Sequence, residues 1–522
     1  MALNGSGPIS LGGSTTGQSV NLELGQSATA TISFNDANVR TLTGTTAGAS
    51  LSMPGGFWGK SNTTGFSNFL YGSNGLAYDP YPTAGQPLVT PANQLYVFSR
   101  IYYNGGTPQG IGVQKIGNDG STIWKNIYYG SGSTNILPSS GPSHPKCALD
   151  SSGNVYFNGY FGNKFINVKL DTDGNVAWGK SIDVSTAGYP QYVIGSAIDS
   201  AGNLICAYQY QRVVSGTYNA TIVCKFDASG ILLWQKEFGA AGNGARFGGL
   251  WGNLVVDSSN NIYVGGAILN TANQIVPVVT KLDSSGVFQW CNSYVGTSTS
   301  TSAEGKAQGM IISGAGDLYM CCFYNNNTGW KDSIVLKLNM STGAIVSQNS
   351  LRIGGPTSAA SFGYSGISSD SSNNIYLVAA ANVSSTNVPV IVKYDSTLSS
   401  ISWQQIFDGA GTFGGAYAND IAINGSNYVV STVGQAPIPT PTAIGSVVFA
   451  LPNSGSVTGN LTFSSSPTAT VNVSASSYTS PSTTLSAVSI PFSTSGSLFP
   501  AASYSIVSSA LSSYSNQVRT QP

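Results

Sequence analysis

The sequence predicts an all-β fold, a seven-bladed β-propeller, and three observations carry that prediction. The first is a repeated phrase. Lys225-Phe226-Asp227-Ala228-Ser229-Gly230-Ile231-Leu232-Leu233-Trp234 returns as Lys281-Leu282-Asp283-Ser284-Ser285-Gly286-Val287-Phe288-Gln289-Trp290. Copies also start at Lys115, Lys169, Lys337 and Lys393, with Phe449 in the next place, so the step is 54 residues once and 56 thereafter. A fixed period of this size marks a propeller or a solenoid. The second is the content of each copy: four short apolar runs separated by turn residues, the antiparallel unit of a propeller blade. The third is composition. The 64 glycines, with abundant Ser, Thr and Asn, supply turns, and 27 tyrosines and 20 phenylalanines supply a core.

Residues 1–62 form an N-terminal module unlike the rest. It is rich in Gly, Ser and Thr, holds no lysine before Lys60, and carries only short apolar runs such as Val20-Asn21-Leu22-Glu23-Leu24. Asn35 and Asp36 are placed to cap a helical turn or two over 37–42. So little apolar surface does not hold a free-standing domain, so the module is expected to order against a partner. Residues 63–86, rich in Gly, Asn, Tyr and Pro, read as a linker.

The propeller is expected over 87–463. In the third copy, 193–198, 204–210, 221–226 and 231–238 are strands A to D. The A–B turn Asp199-Ser200-Ala201-Gly202-Asn203 and the C–D turn Asp227-Ala228-Ser229-Gly230 put Asp first and Gly where positive φ is needed. Trp124, Trp178, Trp234, Trp290 and Trp403 lie in strand D and give way to Val346 and Val457 in two copies. They read as plugs for the seams between blades, and the repeat lysine as a residue that snorkels or pairs locally. The ring closes in one of two ways: with a strand D at about 457–463, or with Phe57-Trp58-Gly59-Lys60-Ser61, which echoes Ala177-Trp178-Gly179-Lys180-Ser181. Residues 464–522 are a Ser/Thr-rich C-terminal β appendage, uncharged until Arg519, lying on the ring or on a neighbour.

Several function classes drop out. Charge is 8% of residues and balanced at 20 each way, which argues against capture of nucleic acid or an anionic membrane. No apolar run approaches the ~18 residues of a membrane span. The N-terminus has no basic start or apolar run, so no signal peptide is expected. Cys147, Cys206, Cys224, Cys291, Cys321 and Cys322 lack metal-site spacing and read as small buried hydrophobes. The single histidine, His144, builds neither a triad nor a metal site. Asp171-Thr172-Asp173-Gly174-Asn175 opens like a calcium loop but lacks the distal Glu and reads as a turn. No metal, cofactor or catalytic residue is expected, although a glycosidase needs only two carboxylates, which sequence does not locate.

Strand order puts the A–B and C–D turns on one face of the ring and the B–C and D–A loops on the other. The turns are near-identical, whereas the loops vary, and variable loops on a constant scaffold are where binding sits. The candidate ligand face comprises Tyr102, Tyr103, Tyr160, Tyr210, Arg212, Tyr324, Asn326 and Trp330. Aromatic rings stack on a sugar's C–H face while amides bond its hydroxyls, so this face suits neutral glycans.

The opening Met1-Ala2-Leu3 with Gly5-Ser6-Gly7-Pro8-Ile9-Ser10-Leu11, the middle Ile32-Ser33-Phe34-Asn35-Asp36-Ala37-Asn38-Val39-Arg40-Thr41-Leu42 and the closing Phe57-Trp58-Gly59-Lys60-Ser61 resemble an N-terminal module of tailed-bacteriophage structural proteins. The resemblance implies a virion protein of the tail or neck, made in the host bacterial cytoplasm and present in several copies. It implies docking on other virion proteins through residues 1–60, with Asn35, Asp36, Arg40, Phe57 and Trp58 at the contact. The ring would then be a fibre or adhesin domain for host surface polysaccharide. Two other readings stay open: a purely structural decoration or connector, and a glycan-degrading tail enzyme.

Overall fold

The computed structural model describes most of 8–36, Val39, the strands between 66 and 520 and the shorter turns joining them. Among the longer segments outside the description are 40–65, 73–86, 102–109, 131–145, 240–252, 353–361, 409–416, 436–443 and 476–485.

The fold is a seven-bladed β-propeller with almost no helix. Blade 3 is typical: strand A is Gly188–Ile198, B Leu204–Arg212, C Tyr218–Phe226 and D Leu232–Gly239, paired antiparallel in that order. The innermost strands of the other blades begin at Leu88, Lys146, Leu254, Glu304, Phe362 and Tyr417. Each packs beside the next around the circle, the last beside the first, so the ring is closed. Both faces of every sheet are covered by neighbours, which is why strands such as Ile262–Leu269 are buried almost throughout. The core lies in the seams: one apolar cluster joins each pair of adjacent blades, as Phe165, Ile182, Tyr208 and Ile222 do between blades 2 and 3.

The turns justify their sequence. Asp199 Oδ1 accepts the N–H groups of Ala201 and Asn203, both at 2.9 Å, and Oδ2 accepts from Asn203 Nδ2 at 2.9 Å. Lys225 Nζ reaches the same carboxylate at 2.8 Å. The seam plugs are more than apolar filler. Trp124 Nε1 donates to the Thr172 carbonyl at 3.1 Å, in the C–D turn of the next blade, and Lys115 Nζ donates to the same oxygen at 3.0 Å. Trp178 and Trp290 repeat the contact on Ala228 and Met340 at 3.0 and 3.2 Å. The tryptophan and the repeat lysine therefore form one clamp between blades. The Asp171–Asn175 segment is a turn of this kind, with Asp171 Oδ1 accepting from Asp173 and Asn175.

Register corrects the two valine replacements. In blade 5 the C–D turn has one extra residue, so Lys337 pairs with Ser347, and Val346 is the exposed bulge residue. In blade 7 the strand D position is not filled by 457–463. Phe66–Gly72, inside the stretch read as linker, pairs antiparallel with Ile444–Pro452 and closes the ring. Ala450 rather than Phe449 lies in the seam with blade 1, and its partner across the strands is Phe66. Gly459–Phe463 instead lies outermost on blade 6, paired with Ala469–Ala475. The alternative closure by Phe57–Ser61 lies outside the described residues.

The C-terminal β stretch lies on the ring, one of the two places expected for it. Its strands lie on the outer edges of the blades: Ala469–Ala475 on blade 6, Ser486–Ser489 on blade 4, Ser493–Gly496 on blade 3, Ala501–Ser503 on blade 2, Ile506–Ala510 on blade 1 and Tyr514–Thr520 on blade 7. It thus runs around the ring against the chain order of the blades. Twist makes this course natural. Adjacent strands rotate by about 20–25°, so four steps turn the outermost strand roughly perpendicular to strand A, along the circumference.

At the N-terminus, Val20–Glu23 is a short helix in a run read only as apolar. Ile9, Val20 and Val39 are buried together, with Leu11, Leu24, Ile32 and Phe34 against them. Asp36 Oδ2 accepts from Ser33 N at 2.7 Å. Of the expected 37–42 helix only Val39 lies within the described residues.

Candidate functional site

Blade 3 has the longest strand A among the described residues. Strand A there is 11 residues long, and its hairpin partner runs on to Arg212. The connection from blade 2 is tight: Gly188 N bonds Val184 O at 2.9 Å, and Val213 N bonds Ala187 O at 2.9 Å. A Cβ on Gly188 would lie 1.8 Å from the Gln211 carbonyl oxygen, so only glycine lets the two strands meet here.

Alternation along a strand splits this end of the blade into two sides. On one side Tyr208 and Tyr210 are buried in the seam with blade 2. Arg212 Nη1 sits 2.5 Å from Glu237 Oε1, and Glu237 is buried. Burial pushes the Tyr210 phenol far above its usual range, with the Glu237 charge adding to it. This triad locks the blade. Tyr210 is therefore a core residue rather than part of an open face, and Arg212 is tied to a carboxylate with part of its side chain still exposed. Tyr160 is half-buried and packs on the same seam.

The other side, toward blade 4, carries residues that the sequence reading missed. Tyr189 is 43% exposed, and its hydroxyl donates to Gln211 Oε1. Gln191 Nε2 approaches the same oxygen at 3.5 Å. The Gln211 amide N–H groups have no partner among the described residues. The result is an exposed ring held by one glutamine and flanked by amide groups. The available signal was the alternation of Tyr189, Gln191, Gln209 and Gln211 in paired strands.

Of the remaining candidates, Tyr324 lies in strand B of blade 5, where its backbone pairs with Gly305 and Asp332. Tyr102, Tyr103, Asn326, Trp330, Asn35, Arg40, Phe57, Trp58 and His144 lie outside the described residues. All six cysteines are buried and none forms a disulfide. Cys321 and Cys322 point into different seams, as neighbours on a strand must. No group of three or more metal-ligating side chains occurs among the described residues.

The innermost strands carry a second polar locus. Lys146 of blade 2 and Asp420 of blade 7 each stand four residues before the first residue of their A–B turn, at one level of the ring. Burial pushes the Asp420 carboxyl up to about 7 against the pull of the Ile421 amide, the Lys146 charge and the Ile367 amide. Burial likewise lowers Lys146, with Asp420 opposing the shift. Both side chains are partly buried.

No family model and no curated protein matches the chain. Solved structures do. A polysaccharide lyase, Uly1, is 9% identical at a TM-score of 0.42, over 71% of this chain and 90% of that one. A Penicillium chrysogenum α-L-arabinanase bound to arabinobiose is 10% identical at 0.33, over 74% and 98%. A protein of unknown function from Dyadobacter fermentans is 7% identical at 0.35, over 73% and 95%. Likeness this loose carries no reading of the chemistry of this chain.

Proposed function

We propose that this chain is a structural component of a bacteriophage virion, in the tail or neck, whose ring adheres to host surface glycans without covalent chemistry. The virion half rests on the resemblance of residues 1–62 to phage structural modules. The adhesive half rests on one observation: the exposed Tyr189 ring braced by Gln211 beside Gln191 at the loop-face end of blade 3. A flat aromatic surface with amides at its rim offers what a neutral sugar needs, a stacking face and hydroxyl partners. One such site binds weakly, and several copies on one particle convert weak sites into useful avidity.

The test is an array of host capsule and lipopolysaccharide glycans read with the full chain and with Tyr189→Ala. Wild type should bind a small set of neutral glycans, and the variant should lose about 10-fold or more, the worth of one stacked ring. An empty array, or equal binding by the variant, overturns the adhesive reading. Release of reducing sugar in the same wells would replace adhesion with hydrolysis. Particles that assemble without residues 1–62 of this chain, and still carry its ring, would overturn the docking role.

A further inference from the structure

One rung of the propeller departs from the repeat. It pairs strand B with strand C two residues before the repeat lysine, and its side chains face the next blade. The rung is Phe98–Val113 in blade 1, Cys321–Val335 in blade 5 and Val378–Ile391 in blade 6, all within the apolar seam clusters. Blades 3 and 4 set Ala207 and Gly265 opposite a valine. In blade 2 the same rung is Asn158–Asn167, and both residues are 0% exposed. Nothing in the repeat calls for amides here, so their chemistry belongs to this seam alone.

Blade 3 meets the two amides with a phenol and a thiol. Asn158 Nδ2 donates to Asn167 Oδ1 at 2.6 Å and to the Tyr208 hydroxyl oxygen at 3.2 Å. The Tyr208 hydroxyl donates to Asn167 Oδ1, and so does the Cys206 thiol, at 3.1 Å. The other end of each amide is left over: Asn158 Oδ1 and Asn167 Nδ2 are buried and bond no protein atom. Ser196 is the strand partner of Cys206 and shares its side of the sheet, and its buried hydroxyl is also without a partner. Exchanging oxygen and nitrogen in both amides keeps the bond between them and again leaves one acceptor and one donor over. The deficit therefore belongs to the site and not to the choice of amide orientation.

Buried amide ends are rarely left unmade, because each has given up its bonds to solvent. What completes these two must donate to an oxygen and accept from a nitrogen at once. It must also be neutral. Burial pushes the Cys206 thiol up to about 12 and the Tyr208 phenol well above its usual range, so both keep their protons and the site offers an ion no countercharge.

We infer that the seam between blades 2 and 3 binds a buried water molecule that donates to Asn158 Oδ1 and accepts from Asn167 Nδ2. Water supplies both roles in one neutral molecule, and buried waters of this kind sit on polar groups that the fold leaves unpaired. It is then part of the seam and exchanges with solvent only when the two blades part. The assignment is independent of the glycan reading of blade 3.

The test has two arms, both on the full chain. Oxygen-17 relaxation dispersion of the solvent counts long-lived buried waters. Asn158→Val combined with Asn167→Val makes the rung apolar, as in other blades, and should hold one such water fewer than wild type. Equal counts in a variant that melts cooperatively overturn the inference. The second arm needs no variant and stands if the substituted chain fails to fold. A crystal structure of wild type, fine enough to place waters, should show a density peak about 2.7–3.2 Å from both leftover amide ends. Amide ends with no peak between them overturn the inference, and so do amide ends that meet protein partners instead.

Discussion

The glycine of each C–D turn answers to the blade before it as much as to its own backbone. Gly343 has φ +71°, and a Cβ there would lie 2.7 Å from the Trp290 ring. Gly202, in an A–B turn, has φ +79° and nothing within reach of a Cβ. The A–B position accordingly accepts asparagine, as Asn260 and Asn373 at φ 63° do, whereas the C–D position does not. Gly202→Asn should therefore leave the thermal midpoint nearly unchanged, while Gly343→Ala should cost about 2–4 kcal/mol of unfolding free energy by denaturant titration. The one C–D turn without glycine supports the same logic. Leu398 sits at φ 62°, buried in the seam with blade 5, where Ser347 stands in the tryptophan place. The leucine fills what the missing indole leaves. Ser347→Trp and Leu398→Gly should each destabilise by about 1–3 kcal/mol, and the double variant should recover at least about 1 kcal/mol of their sum. Additive losses would mean that the two sites are not coupled. Acidity works on the same turns with a definite sign. Burial raises the Asp199 and Asp370 carboxyls, but Lys225 and Asn203 at the first, and Asn374, Tyr376 and Lys393 at the second, more than offset it and hold both below the usual range. Their stabilisation is present above about pH 4 and lost as pH falls below it. Asp420 runs the other way. With its carboxyl pushed up to about 7 by burial, the folded state keeps a proton that the unfolded chain loses near pH 4. Stability should therefore decline as pH rises from about 4 to about 7 and then level, and Asp420→Asn should remove that decline from a series of thermal midpoints.

At the scale of the element, the outer strand of each blade poses the problem of any sheet edge: a row of unpaired backbone groups that invites another chain. The C-terminal strands answer it by pairing with the outer strands of blades 6, 4, 3, 2, 1 and 7. The core does not depend on them, because the seam clusters are made by strands A to D. Removal of 464–522 should accordingly leave the far-ultraviolet β spectrum and most of the thermal stability in place. It should also turn a monodisperse protein into one that associates with itself, visible by light scattering at micromolar concentration. A truncated chain that stays monodisperse would show that the belt protects nothing, and one that fails to fold would show that it belongs to the core.

At the scale of the molecule, what was legible in the sequence follows from what repeats. A period of 56 residues, Asp-first turns and a strand D tryptophan are local signals, so the blade count, the strand positions and the seam plugs were all readable. Closure was not, because it happens once and joins segments with no local tie. Phe66–Gly72 meets Ile444–Pro452 across nearly the whole chain, and Tyr514–Thr520 then pairs with its other edge. Phe449 misled for the same reason: in blade 7 the B–C connection is longer, with Val429 paired to Ala450 where blade 6 pairs Tyr376 to Lys393, and it outweighs a shorter A–B turn, which shifts the count that the earlier copies obey. The loop-face platform was hidden because the alternation that exposes Tyr189 buries Tyr210, and only the pairing of the two strands decides which side is which. Closure also makes a sharp prediction. The strand Phe66–Gly72 lies between two others in its sheet, so its loss opens the ring and strips both neighbours of their partners. Deletion of 1–65 should leave the thermal midpoint within a few degrees of the full chain. Deletion of 1–72, only seven residues further, should lower it by about 10 °C or more, or leave the protein insoluble. Two truncations with the same midpoint would mean that blade 7 stands on three strands of its own, and that the ring is held shut by its seams alone.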